Sequence, residues 1–186
     1  MNYKEYRKSR DLSWEILTKE KICALPVKMA ALCEQTGIEL KLYTPTDGNS
    51  GFSTIDPDGT AVIGVSRTEP PTRQRFTAAH ELGHILLGHT GKYELCNREP
   101  RPDDNPIEQA ANVFASRLLA PACVLWGCRV QSAEEIAALC GISSAAAEFR
   151  FKRMQILFKR NKFLLSPKER AVFEQFKDYI AAHRLR

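Results

Sequence analysis

The chain predicts an α+β fold: a mainly helical core with a small three-stranded sheet, followed by a helical, helix-turn-helix-like C-terminal region. Three observations carry this. Apolar residues recur at three- and four-residue spacing through most of the chain, the period of amphipathic helices. Between residues 38 and 66 that period gives way to three short runs separated by Asp-Gly turns. From Arg150 to Arg186 there are eleven Lys and Arg against three Asp and Glu, a balance of +8. The whole 186-residue chain carries +5, so residues 1–149 sum to −3 and the basic character belongs to the tail.

Taken in order, residues 13–36 read as an amphipathic helix with Ile16, Leu17, Ile22, Leu25, Met29 and Leu32, broken or restarted at Pro26 and ended by Gly37. Runs 38–43, 51–55 and 60–66 have strand character. Asp47-Gly48 marks a turn, and Asp56-Pro57-Asp58-Gly59 signals a hairpin. Pro70 and Pro71 suit the first turn of the next helix. Its inward face is Phe76, Ala79, His80, Gly83, His84 and Leu87. Gly83 costs a helix about 1 kcal/mol relative to Ala, which implies that another backbone comes close there. Gly88 and Gly91 offer a stop.

A further helix opens at Asn105-Pro106 and closes before Pro121, with Ala111, Phe114, Ala115 and Leu118 on the face that carries Glu108. Ser132 and Glu135 form a capping-box pattern. The run Ile136–Ser143 followed by a second helix resembles a helix-turn-helix with Gly141 at the turn. Ser166–His183 reads as one capped amphipathic helix whose stripe of Val172, Phe173, Phe176, Tyr179 and Ile180 packs on the body or on a partner chain. The expected division is a domain over 13–125 and a basic helical region over 130–186.

Composition sets bounds. At 44% apolar the chain can build a core, and no run reads as long and apolar enough to span a membrane. Lys4, Glu5, Arg7, Lys8, Arg10, Asp11 and Glu15 leave no secretory h-region near the start. Six cysteines without tight spacing, several inside helical patterns, read as free thiols of a cytoplasmic protein.

His80-Glu81-Leu82-Gly83-His84 carries the chemistry. Residues four apart lie on one helical face, so both imidazoles can converge on one Zn2+ ion. Glu81 falls beside the metal, placed as a base for its water, the H-E-x-x-H arrangement of metalloproteases. A catalytic zinc needs three protein ligands and one open position. Glu108 is the best third candidate, because a carboxylate on an apolar face must pair with a cation. Cys96, Asp103 and Asp104 are alternatives from a Pro-, Arg- and Asp-rich loop that would hold a ligand less rigidly. Asn112, one turn after Glu108, is placed to hold the second ring N–H of a ligating histidine. His89 points to a different helical face and reads as an exposed helix-end residue.

HELGH preceded by Arg75-Phe76-Thr77-Ala78-Ala79, and followed by Glu108-x-x-Ala-Asn-x-Phe-Ala-x-x-Leu-Leu-Ala-Pro121, resembles the ImmA/IrrE metallo-endopeptidases. The match is specific across 59–121 and extends over 19–165; Ala120 stands where that family often has Met. The resemblance implies a zincin-like metallopeptidase domain, His80, His84 and Glu108 as zinc ligands, and Glu81 as catalytic base. It implies a protein substrate, a transcriptional repressor of a phage or mobile element. It also implies that the last strand before the active-site helix is an edge that binds substrate backbone. An oxyanion donor is expected from among His89, Tyr93 and Arg117. The alternative is a DNA-binding or scaffold-type regulator with a structural or vestigial metal, its basic C-terminal region making weak nucleic-acid contact.

Overall fold

A computed structural model describes residues 2–46, 48–90 and 105–184. Gly91, Tyr93, Cys96, Asp103 and Asp104 lie outside the described residues, as does Asp47 of the first expected turn. The element order is α1 (Tyr3–Lys19), α2 (Met29–Gln35), β1 (Glu39–Tyr43), β2 (Gly51–Ile55), β3 (Ala61–Ser66), α3 (Pro71–Leu87), α4 (Pro106–Leu119), α5 (Ala122–Gly127), α6 (Ala133–Cys140), α7 (Ser144–Lys159), α8 (Pro167–Gln175) and α9 (Lys177–Ala182). This is the expected α+β class, helical with one small sheet. The chain divides into two compact units, Met1–Arg10 with Lys28–Ala115, and Asp11–Val27 with Ser116–Arg186. Residues 11–27 therefore group with the C-terminal segment.

The first unit holds the sheet, in the order β1-β3-β2, with β3 parallel to β1 and antiparallel to β2. The Asp56–Gly59 hairpin closes with Asp56 N–H donating to Thr60 O at 2.9 Å, and Gly59 adopts a φ of +88°. The strand preceding α3 is thus central and hydrogen-bonded on both sides, not an edge. Its Val62, Ile63, Val65 and Ser66 are all buried, as a strand covered on both faces requires. Its main-chain groups are committed to β1 and β2, which leaves the outer strands β1 and β2 as the only ones of this sheet with a free side among the described residues.

Two glycines set how closely α3 is approached. A methyl group at Gly51 would overlap Thr77 Cγ2, lie 2.9 Å from Gly64 O, and sit 3.7 Å from Glu81 Cγ. One at Gly83 would meet the Phe114 ring at 2.9 Å and Ala111 Cα at 3.4 Å. The helical glycine therefore admits the α4 backbone, as its cost predicted.

Helix ends follow local chemistry. Helix α1 starts ten residues before the expected position because Asn2 and Glu5 cap each other: Glu5 N–H donates to Asn2 Oδ1 at 3.0 Å and Asn2 N–H to Glu5 Oε2 at 3.1 Å. Asn105 Oδ1 accepts from Ile107 N–H at 2.9 Å and opens α4. The stretch Pro106–Gly127 is, contrary to the sequence reading, long and apolar enough to cross a membrane by length and composition. It is broken after Leu119, and 78% of its most apolar window is buried inside the protein.

The C-terminal part of the second unit runs from the last residues of α4 through α5 to α9. The Ser132–Glu135 capping box forms, with Glu135 N–H donating to Ser132 Oγ at 3.2 Å. Gly141, at φ +60°, ends α6, and Ser143 caps α7, giving the helix-turn-helix-like pair. The expected single C-terminal helix is two, interrupted at fully buried Phe176. Its first turn is tied by Glu169 Oε2, which accepts from Leu165 N–H at 3.2 Å; Ser166 makes no side-chain cap. The apolar stripe packs internally: Trp126 lies 5.6 Å from Phe173 between ring centroids, and Ile180 abuts Gly127. Gln175 Nε2 donates to Leu17 O and Ile22 O, binding residues 11–27 to α8.

Candidate metal centre

Helices α3 and α4 bring three donor groups to one point in the first unit. His80 Nε2 lies 3.1 Å from Glu108 Oε2, His84 Nε2 lies 3.3 Å from Glu108 Oε1, and the two imidazole Nε2 atoms are 3.0 Å apart. The i, i+4 spacing on α3 stacks the imidazoles on one face, and the Gly83 gap lets α4 supply the carboxylate. His84 and Glu108 are buried and His80 is nearly so. These three residues form a group that could hold a metal ion.

The donor chemistry fits a cation. Glu108 Oε1 is buried and makes no well-aligned hydrogen bond, with the His84 ring at 3.3 Å, and such an oxygen is costly unless something positive meets it. Two nitrogens and one carboxylate make the His2Glu set of catalytic zinc sites. Electrostatics agree. Burial works against ionised Glu108, yet its hydrogen bond with His80 and the neighbouring His84 ring hold its pKa down at about 2. Burial likewise works against charged His80, but the bond to Glu108, the nearby charges of Glu81 and Glu108, and Asn112 raise its pKa above the ordinary value.

Around this cluster stand the other predicted residues. Asn112 Oδ1 is 3.0 Å from His80 Nδ1 and can accept its N–H. Glu81 is buried at 5% exposure on α3, its side chain on the side of Gly51 and β2. His89 is not the exposed helix-end residue expected from the wheel. It is half-buried, with Nδ1 3.2 Å from His84 Nδ1, and burial together with the charges of His84 and Lys8 lowers its pKa to about 4. The missed signal was Gly88, whose left-handed cap (φ +76°) turns the chain back over the helix end, where helical extrapolation fails. Arg117 belongs to the second unit, where its Nη1 donates to Ser116 Oγ at 2.7 Å.

Comparison with known proteins bears on the fold and the family. A solved structure named a Mycobacterium tuberculosis transcriptional regulator is similar over 91% of this chain at 14% identity and a TM-score of 0.50. The chain spans 55% of that structure's length, and the likeness concerns the fold alone. No curated protein matches the chain. The family model of the IrrE N-terminal-like domain matches residues 33–152, a span that takes in the sheet, α3, α4, α5, α6 and the first part of α7. With both histidines, the α4 carboxylate and most of the chain inside that match, the chain belongs to the ImmA/IrrE family of metallopeptidases.

Proposed function

We propose that the protein is a zinc-dependent endopeptidase that cleaves a specific regulatory protein, a phage or mobile-element repressor. The observation that carries this is the convergence of His80, His84 and Glu108 with Glu81 buried alongside. His80, His84 and Glu108 would hold a zinc ion, which when bound would supply a Lewis acid and lower the pKa of a water toward about 7. Glu81 takes the proton of the attacking water and delivers it to the leaving amine. Asn112 holds His80 by its other ring nitrogen. The substrate backbone is read by β2, an outer strand whose Gly51 packs against Thr77 and near Glu81. A cytoplasmic setting is part of this reading and rests on six cysteines whose spacing lacks a disulfide pattern.

The direct test is incubation with a repressor encoded beside this protein, with zinc present or chelated, followed by mass measurement of the fragments. Zinc-dependent cleavage at one site supports the reading. An intact repressor in the presence of a zinc-loaded enzyme removes that substrate class.

Zinc uptake should depend on pH with a definite sign. Zinc needs neutral imidazoles, and His80 holds its proton more tightly than an ordinary histidine. Below the raised pKa each bound ion must displace that proton, so affinity is expected to fall about tenfold per pH unit. Glu108, at about 2, remains ionised throughout and adds nothing. Competition against a chromophoric chelator across the neutral range measures the slope; a flat profile contradicts the assignment of His80.

The second reading, a DNA-binding regulator, is favoured by the α6–α7 pair and the +8 tail. Against it, α7 exposes Phe149 at 69%, a side chain poorly suited to phosphate or base-edge contacts. Salt-dependent DNA binding that survives loss of Glu81 supports this second reading.

A further inference from the structure

We propose that His89 is a positioning residue for the metal centre: its Nδ1 accepts a hydrogen bond from His84 Nδ1–H and thereby fixes the tautomer and ring orientation of His84. This rests on the zinc-site reading above. The Nε2 of His84 faces His80 Nε2 at 3.0 Å and Glu108 at 3.3 Å, so Nε2 is the coordinating atom and must be free of hydrogen. A neutral imidazole has one N–H, which then sits on Nδ1. The His89 Nδ1 atom lies 3.2 Å from it.

One Nδ1 must donate and the other accept; the metal side settles which. His89 therefore offers its Nδ1 lone pair and carries its own proton on Nε2. The same geometry explains why His89 is not a ligand, since it meets the rear of His84, away from Glu108.

The chain builds this pair on purpose-shaped backbone. Gly88 closes α3 in the left-handed conformation, and His89 N–H donates to His84 O at 2.9 Å. Main chain and side chain of His89 thus both engage His84, with ring planes 66° apart and centroids at 5.2 Å. The arrangement parallels the other imidazole, where Asn112 Oδ1 meets His80 Nδ1 at 3.0 Å. Each histidine has its own acceptor, one from α4 and one from the turn after α3. Such outer partners typically govern 10- to 100-fold of metal affinity.

The test uses the full chain with zinc as the probe. Zinc dissociation constants are measured by chelator competition for the wild type, His89→Ala, His89→Gln and His84→Ala, and the His84 tautomer is read by nitrogen-15 NMR of histidine-labelled, zinc-loaded protein. His89→Ala is expected to weaken zinc binding about 10- to 100-fold. His89→Gln, whose carbonyl can accept the same N–H, is expected to recover most of that loss. The wild type should show His84 protonated at Nδ1. Zinc affinity unchanged in His89→Ala, while His84→Ala loses it, overturns this proposal and leaves the zinc site standing. Equal losses in the Ala and Gln variants also overturn it, by pointing to packing. A wild type that takes up no zinc overturns the site reading and this proposal together.

Discussion

Glu81→Gln is expected to keep its zinc and lose cleavage of the protein substrate, by about two to four powers of ten in turnover. The substitution is isosteric, so the buried space beside β2 stays filled and the packing of α3 is unchanged. Glu81 is not among the three residues that converge on the candidate metal position, so zinc content should match the wild type. What the amide lacks is a carboxylate oxygen able to take a proton. Loss of turnover with zinc retained isolates that one property. Single-turnover rates with fragment masses, alongside metal analysis of the same preparation, make the comparison. A variant that cleaves at wild-type rate removes Glu81 as the base. One that loses zinc as well shows that Glu81 helps build the site, and the rate then says nothing about proton transfer.

The parts of this site that were legible in sequence are those governed by local periodicity. His80 and His84 sit one turn apart on any helix, and Glu108 and Asn112 do the same on the next. Gly83 was legible too, because a helical glycine has a known cost and close approach of α4 is its compensation. What sequence did not yield depends on non-local arrangement. The hairpin joins β2 to β3, but whether β3 is outer or central depends on where β1 docks, and nothing local encodes that parallel pairing. The clue was the run Val62-Ile63-Gly64-Val65, apolar on both faces, which an edge strand with one solvated face would not carry. His89 was misread because a helical wheel was extended through Gly88, where the backbone stops being helical. The break falls at Phe176, a wholly buried ring with φ −91° and ψ 6°, and the continuous helical pattern does not signal it. The early start of α1, by contrast, has a local signal in Asn2-x-x-Glu5.

Removing the carboxylate of α4 tests the convergence itself. Glu108→Ala is expected to weaken zinc binding by about two to three powers of ten. A four-ligand zinc site contributes roughly 10–16 kcal/mol, and one ligand's share of about 3–4 kcal/mol corresponds to that factor. The metal-free fold should tolerate the change. Glu108 engages both imidazoles in the metal-free state, and without it burial, which works against a charged His80, is no longer offset by that carboxylate, so the neutral ring is favoured. Zinc at about 100 times its dissociation constant stabilises the wild type by about 2.7 kcal/mol. The same zinc concentration lies near or below the variant's dissociation constant, so the zinc-dependent rise in melting temperature should nearly vanish. Glu108→Gln keeps an oxygen at the site but not its charge, and should fall between the two. If both variants bind zinc and gain melting temperature as the wild type does, the third donor is another group and the water-activating assignment must be rebuilt around it.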